Sequence, residues 1–458
     1  MTKQTRITGP VSPIDGRYES KTQPLGQIFS EQALMRYRIM VEVKFLRHLF
    51  SKKIIRNFTD EEIKILESMS EISDTDFAEI QAFEKKTNHD VKAVEYFLHS
   101  KMKGTSLEDL IGFVHLGLTS EDINNIAYAM MLREGLGALL DYYGQVSHDI
   151  LMLAEDHKSS PMLALTHGQP ASPTTFGWEM KVFHNRLLKY REKLKDFKIS
   201  VKWGGATGGH NALCLAYPEI DFRDFSYNFV RYLNVGEGIN KFEFNPYTTQ
   251  IEPHDTYAEL FSTLSILNTI LIDFSRDIWM YISRGVIKQR VIDGEVGSSA
   301  MPQKVNPINF ENAEGNLGMA NAMFDFFRNK LPVSRLQRDL SDSTVERNFG
   351  SAFANTLIGL KAIHAGIKRL TVDEAKMHSE LGDCWEVVAE GYQVVLRVNG
   401  AAEGYELLKD FTRGKKMTRE LMHQFVDHLF ISKVINKSTA LSLKEITPMN
   451  YIGNRSFS

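Results

Sequence analysis

Residues 294–312, GEVGSSAMPQKVNPINFEN, set Ser298 and Ser299 among glycines and two prolines, with Lys304, Asn306 and Asn312 following. Proline and glycine at that density break both helices and ordinary strands, so the segment is predicted to be a mobile loop leading into a helix. Two hydroxyls, a cation and an amide beside free backbone N–H groups can grip a carboxylate or stabilise an oxyanion. An exposed linker is the plain alternative on composition alone. A second candidate is PMLALTHGQPASPTT, where His167 stands at a break between two long apolar-periodic segments. A loop histidine there is suited to general acid–base work, against the commoner structural role of a lone histidine.

Three further segments could hold an anion or serve only as helix starts. In KKTNHDVKAVEYF, Asn88, His89 and Asp90 precede a helical pattern, as a ligand site or as a cap. In LGLTSEDINN, Thr119 and Ser120 open the longest helical stretch, where unpaired N–H groups and the helix dipole favour anions. In RDLSDSTVERN, Arg338, Ser343, Thr344 and Arg347 offer two guanidiniums and two hydroxyls, the donors a phosphate needs, or simply a helix entry with ion pairs. No HExxH, Walker lysine loop or GxSxG elbow is present, and GGATGG at 204–209 lacks the strand and helix of a dinucleotide fold. The 14 histidines show no metal-ligand spacing, and no metal is expected. A cofactor-free reaction using a histidine, a serine and anion grips is the simplest chemistry left.

The elements that must position these residues are helical. No proline occurs between Leu25 and Ser160 or between Val333 and Thr447, and proline is the strongest breaker of a helix interior. Apolar periodicity predicts long helices over 119–157, 174–198, 254–289, 310–330 and 343–370, which suggests an elongated bundle. Thr59 with Glu62 reads as a capping box, and Ser106 with Asp109 as a weaker one. The one good candidate for a short hairpin is the glycine-rich stretch 202–217. The expected fold is therefore all-α: an N-terminal helical domain over 1–110, a central long-helix bundle over 111–365 and a C-terminal helical domain over 366–458.

Composition narrows the class. The 458 residues suit about three domains at ~150 residues each. With 54 Lys and Arg against 57 Asp and Glu, the net charge of −3 gives no reason to expect nucleic acid or an anionic membrane as partner, so any anion must be held by local cations. Cys214 and Cys384 lack CxxC partners, which points to a reducing cytoplasm. The N-terminus has no signal-peptide core, and the apolar stretch 260–274 is interrupted by Ser, Thr, Asn and Asp, so neither export nor a membrane span is expected.

Taken together, the motifs carry a resemblance. GSSAMPQKVNP resembles the signature loop of the fumarase/aspartase superfamily, helical homotetramers that eliminate fumarate from a succinyl group. TNHDVKAVEYF, TSEDINN, THGQPASPTT, NPYTTQIEPHD and RDLSDSTVERN, in order from PVSPIDGRY to TPMNYIGN, resemble the bacterial adenylosuccinate lyase family over essentially the whole chain. The resemblance implies two substrates, adenylosuccinate and the succinyl-aminoimidazole-carboxamide ribotide of purine synthesis. It implies no cofactor, and a homotetramer with three subunits contributing to each active site. By motif position His167 would be the general acid and Ser298 the general base. Arg17, Tyr18, Asn88, His89, Asp90, Thr119, Ser120, Gln250, Ser299, Lys304, Asn306, Asn312, Arg338, Ser343 and Arg347 would bind substrate. Gln303 stands where many bacterial relatives carry histidine, and Ala300 where threonine is frequent. The serine loop alone would also fit argininosuccinate lyase or fumarase, and an inactive crystallin-like structural protein is the alternative outside enzymes. The cluster of Arg338, Ser343 and Arg347 favours a nucleotide, and intact His167, Ser298 and Lys304 favour an enzyme.

Overall fold

The computed structural model describes residues 9–235, 241–291, 301 and 304–455. In chain order, α1 (Glu19–Phe29), α2 (Glu31–Leu49), α3 (Asp60–Ser68), α4 (Asp74–Thr87) and α5 (Asp90–Met102) precede the long α6 (Ser120–Asp156). A hairpin of β1 (Pro161–Thr166) and β2 (Gln169–Thr175) leads into α7 (Phe176–Lys195). Then come β3 (Ile199–Val201), α8 (Asn211–Ala216), α9 (Phe222–Leu233), β4 (Phe242–Phe244), α10 (Asp255–Ser283) and β5 (Ile287–Gln289). The chain continues through α11 (Ile308–Lys330), α12 (Ser341–Glu346), α13 (Phe349–Ile367) and β6 (Leu370–Val372). It ends in α14 (Glu374–Gly382), α15 (Ala389–Val398), α16 (Gly404–Thr412), α17 (Arg419–Ile431) and α18 (Lys437–Glu445). Strands among the described residues form only two-stranded pairs, so the fold is all-α in class.

The long helices follow the proline gaps. At 37 residues, α6 runs about 55 Å at ~1.5 Å per residue. Two expected helices end early for local reasons. Gly285 takes φ +75 after α10, and the chain turns into β5, which pairs antiparallel with β6. The stretch expected to be one helix over 343–370 is two, α12 and α13, because the turns break at Arg347 and Asn348. Thr59 and Glu62 form the predicted capping box, and Ser73 with Asp76 forms another that a search for Glu or Gln misses.

Contacts divide the chain into two compact units, one of residues 1–144, 189–272 and 312–362, the other of 145–188, 273–311 and 363–458. In the first, Phe261 packs against Phe324, Phe327 and Phe349 with ring centroids 5.1–5.5 Å apart. Ile123, Ile126 and Met130 of α6 are buried at helical spacing. α10 is apolar and long enough to cross a membrane by composition, but 56% of its most apolar window is buried inside the protein. Leu260, Phe261, Leu264, Leu267 and Leu271 account for that apolarity as core packing. In the second unit, Leu381, Val388, Tyr392, Leu396, Met422, Phe425 and Leu443 form the centre of a C-terminal cluster. The Tyr392 hydroxyl donates to the Leu443 carbonyl at 2.7 Å, which satisfies the one polar atom that ring carries into the core.

Two assignments change. The glycine-rich stretch 202–217 is not a hairpin: β3 ends at Val201, a loop follows, and α8 begins at Asn211, while β3 pairs in parallel with β4. The hairpin is instead β1–β2, with Thr166 opposite Gln169 and a bulge between Met162 and Ala164. That bulge breaks the period-2 pattern, and Pro170 and Pro173 argue against a strand by the usual rule. A two-stranded ribbon has only edges, where proline is tolerated.

Candidate active site

His167 occupies the tip of the β1–β2 hairpin. It and Gly168 are the two central turn residues, with φ +55 and +73, as a two-residue type I′ turn requires. His167 is exposed there, which suits a group that must meet a ligand. Lys304 is also exposed, in the segment entering α11, and its N–H donates to the Met301 carbonyl at 3.0 Å. Asn306 is half-buried two residues on. Ser298, Ser299, Ala300 and Gln303 lie outside the described residues.

The first unit brings together most of the other predicted residues. Tyr18, at the start of α1, accepts a hydrogen bond from the Asn312 amide through its hydroxyl at 3.0 Å, joining positions 294 residues apart. Arg17 beside it is exposed. Glu19 and Thr22 of α1, with Arg347 and Gly350, help to line a cavity of about 530 Å³. Asn88 closes α4 in the left-handed conformation, and His89 caps α5 by accepting from the Lys92 N–H at 3.2 Å. The same His89 places Nε2 3.5 Å from the Ser120 hydroxyl. The predicted site residues Asn88 and His89 are thus also helix caps.

Asp90 accepts from Arg347 and from the buried Arg38, each at 2.8 Å. Burial would raise its carboxyl, but Arg38 and then Arg347 hold it below the ordinary carboxylate value. Arg347 also pairs with Glu31 at 3.1 Å. Arg338, only 14% exposed, lies 3.0 Å from Glu121 and 3.8 Å from Asp342, and donates to the Gln250 side chain at 3.3 Å. Gln250 in turn donates to the Ala206 carbonyl at 3.3 Å. Ser343 donates its N–H to Asp342 at 2.6 Å. The two predicted phosphate arginines therefore sit in separate carboxylate settings rather than as one bare basic pair.

Sequence reasoning missed the acids that support these groups. Asp122, in the first turn of α6, accepts from Lys202 Nζ, Gly204 N–H and Thr119 N–H at 2.8 Å each, and from Gly205 N–H at 3.1 Å. Lys202 Nζ also donates to the Gly205 carbonyl at 2.8 Å, and both charged side chains are 0% exposed. The glycine-rich loop is wrapped around this carboxylate. A Cβ on Gly208, at φ +82, would lie 2.2 Å from the Thr248 carbonyl oxygen. The pair fixes the helix start that presents Thr119 and Ser120. Asp122→Ala would strand a buried ammonium, and a loss of about 3–5 kcal/mol is expected in urea unfolding. A loss below ~1 kcal/mol would mean that solvent reaches Lys202.

Glu121, His254 and Glu346 were missed as well: their ligand-type atoms all come within 4.8 Å of one another, a proximity that histidine spacing along the chain does not reveal. The available signal was an acid next to a predicted site residue, Glu121 beside Ser120 and Glu346 beside Arg347.

Residues 16–322 match a family described as Lyase, and residues 334–452 one described as Adenylosuccinate lyase C-terminal. The adenylosuccinate lyase of Haemophilus influenzae is 44% identical over 449 residues, covering 97% of this chain and 96% of that protein. Those of Escherichia coli K12 and Vibrio cholerae are 44% and 45% identical over the same span. Among solved structures, a fumarate lyase from Mesorhizobium sp. BNC1 superposes with TM-score 0.75 at 17% identity, covering 94% of this chain and 95% of that one. A 3-carboxy-cis,cis-muconate lactonizing enzyme from Pseudomonas putida gives 0.74 at 20% identity, with 94% of each chain covered. The structures establish a fold shared with fumarate-lyase-type enzymes. The chain belongs to the adenylosuccinate lyase family.

Proposed function

We infer that this protein is an adenylosuccinate lyase, a carbon–nitrogen lyase that releases fumarate by β-elimination. The observation that carries this is the near-full-length identity of about 44% to adenylosuccinate lyases. Its substrates are adenylosuccinate, giving AMP, and the succinyl-aminoimidazole-carboxamide ribotide, giving the free aminoimidazole-carboxamide ribotide. Ser298 removes the proton from the succinyl carbon next to a carboxylate, and Lys304 with loop amides stabilises the charge that builds there. The electron pair forms the fumarate double bond as the carbon–nitrogen bond breaks, and His167 gives a proton to the departing nitrogen. Arg17, Tyr18, the Asn88–Asp90 segment, Thr119, Ser120, Gln250, Ser299, Asn306, Asn312, Arg338, Ser343 and Arg347 bind the substrate. No cofactor enters this scheme. The enzyme works in the cytoplasm as a homotetramer whose active sites combine several subunits, and the three-part division at 110 and 365 is kept for its domains. The deciding assay mixes the protein with each purine substrate and with argininosuccinate. Fumarate formed from argininosuccinate alone would move the protein to another branch of the superfamily.

Arg338 supports a nucleotide substrate through the phosphate. Because the phosphate is remote from the breaking bond, Arg338→Ala should chiefly raise KM, by about tenfold or more, with kcat falling only as far as alignment depends on it. Dephosphorylated substrate should react poorly with the parent enzyme and suffer little further from the substitution. Equal weakening of both substrates would assign Arg338 to the fold instead.

A further inference from the structure

Seven buried polar atoms without a hydrogen bond of good geometry gather on five residues of the first unit: both Glu121 carboxylate oxygens, both His254 ring nitrogens, of which one has the Leu331 backbone carbonyl nearby, Glu346 Oε1, Asp342 Oδ2 and Arg338 Nε. Buried polar groups are nearly always satisfied, so this concentration calls for a cause. Three of the five residues are carboxylic acids, Glu121, Asp342 and Glu346, and one is a guanidinium, Arg338. Two of them stand beside it, Glu121 at 3.0 Å and Asp342 at 3.8 Å. Glu346 does not. Its neighbour is His254 Nε2 at 3.6 Å, and among the described residues no lysine or arginine lies within ion-pair distance of it.

We propose that Glu346 is held as a neutral carboxylic acid against a neutral His254, and that Glu121 is a positioning residue whose negative charge orients Arg338 toward Gln250. The inference rests on the phosphate role given to Arg338 above. Glu346 is 3% exposed and His254 0%, so a carboxylate there would be a buried charge with no counterion, the costliest arrangement a polar group can adopt. Protonation removes that charge and turns Glu346 into a donor. His254 cannot serve as the missing cation: burial pushes its imidazole down to about 4. Burial, reinforced by Glu121 and Asp342, pushes Glu346 well above the ordinary carboxylate range. Arg38 also acts on Glu346 from a distance, but it is engaged by Asp90 at 2.8 Å and Asn124 at 2.9 Å. Lys202, near Glu121, is engaged by Asp122. Burial pushes Glu121 up to about 7, and Arg338 is the first group that pulls it back; the 3.0 Å contact with Arg338 Nη2, which Glu346 lacks, is what favours the charged form of Glu121, while Gln250 takes Nη1. A divalent cation between Glu121, His254 and Glu346 is the competing explanation, and it would have to sit beside the Arg338 guanidinium.

Two isosteric substitutions separate these ideas, because glutamine reproduces a protonated glutamate but not a charged one. Glu346→Gln should leave kcat and KM for adenylosuccinate within about twofold of the parent, whereas Glu121→Gln should raise KM about tenfold with a smaller change in kcat. In an Arg338→Ala background, Glu121→Gln should add little, as expected of a residue that acts through that arginine. A purely structural Glu121 would instead weaken both backgrounds alike, and that result overturns the positioning role. If Glu346→Gln loses activity or fails to fold, the neutral-acid assignment is wrong, whatever becomes of Glu121→Gln. One equivalent of divalent metal in the purified parent, absent from Glu346→Gln, would replace the proton with an ion. An Arg338→Ala enzyme with unchanged KM would refute the phosphate reading, while a raised KM there beside a silent Glu121→Gln would refute only this proposal.

Discussion

Replacing His167 with asparagine should lower turnover about 100-fold or more while the protein stays folded. The choice of asparagine follows from the hairpin tip. His167 and Gly168 both take positive φ, and Thr166 pairs with Gln169 across them. Asparagine accepts the left-handed region more readily than most residues, so the β1–β2 turn is kept and the imidazole proton is removed. Alanine would mix the two effects, since a Cβ without a compensating polar side chain costs about 1–2 kcal/mol in that conformation. Turnover measured beside a thermal unfolding curve separates them. Normal turnover in His167→Asn would remove the residue from the mechanism.

Ser298→Ala should reduce turnover at least as far, with substrate still bound, because it deletes the group proposed to take the proton and leaves the proposed anion grips in place. A serine hydroxyl is a poor base in water and works only where the surroundings stabilise its alkoxide and exclude solvent. Lys304, exposed at the entrance to α11, is the nearest cation in sequence to serve that purpose. Ser299→Ala should act mainly on binding. Equilibrium binding of substrate to each inactive variant, set beside single-turnover rates, distinguishes the two serines. An indispensable Ser299 beside a dispensable Ser298 would mean that the proton goes to the other hydroxyl.

The long helices were legible because proline excludes itself from their interiors, and α6, α7, α10 and α11 lie close to the stretches that proline spacing marks out. What failed was local. The 202–217 segment has the glycines of a turn, but its glycines serve close approach: Gly204 and Gly205 bring their N–H groups onto Asp122, and Gly208 lies against Thr248. The true hairpin carries prolines and a bulge, both of which erase the alternation that announces a strand. Asn88, His89, Ser120 and Arg338 were visible as donors in motifs. The acid beside Arg338 was not, because a glutamate such as Glu121 reads as a solvated helix residue until the fold shows it to be buried. Pairing between distant segments, as in Tyr18 with Asn312, has no local signature at all.

The boundaries between the two compact units fall inside α6, α7, α10, α11 and α13, so at all five places the backbone changes unit within a continuous helix. Each unit is consequently a patchwork of three separate stretches of sequence, and neither can be cloned as one contiguous fragment. A protease seeking the seam would meet hydrogen-bonded helical turns in place of an exposed linker. Moving either unit onto another chain would need breaks in all five helices.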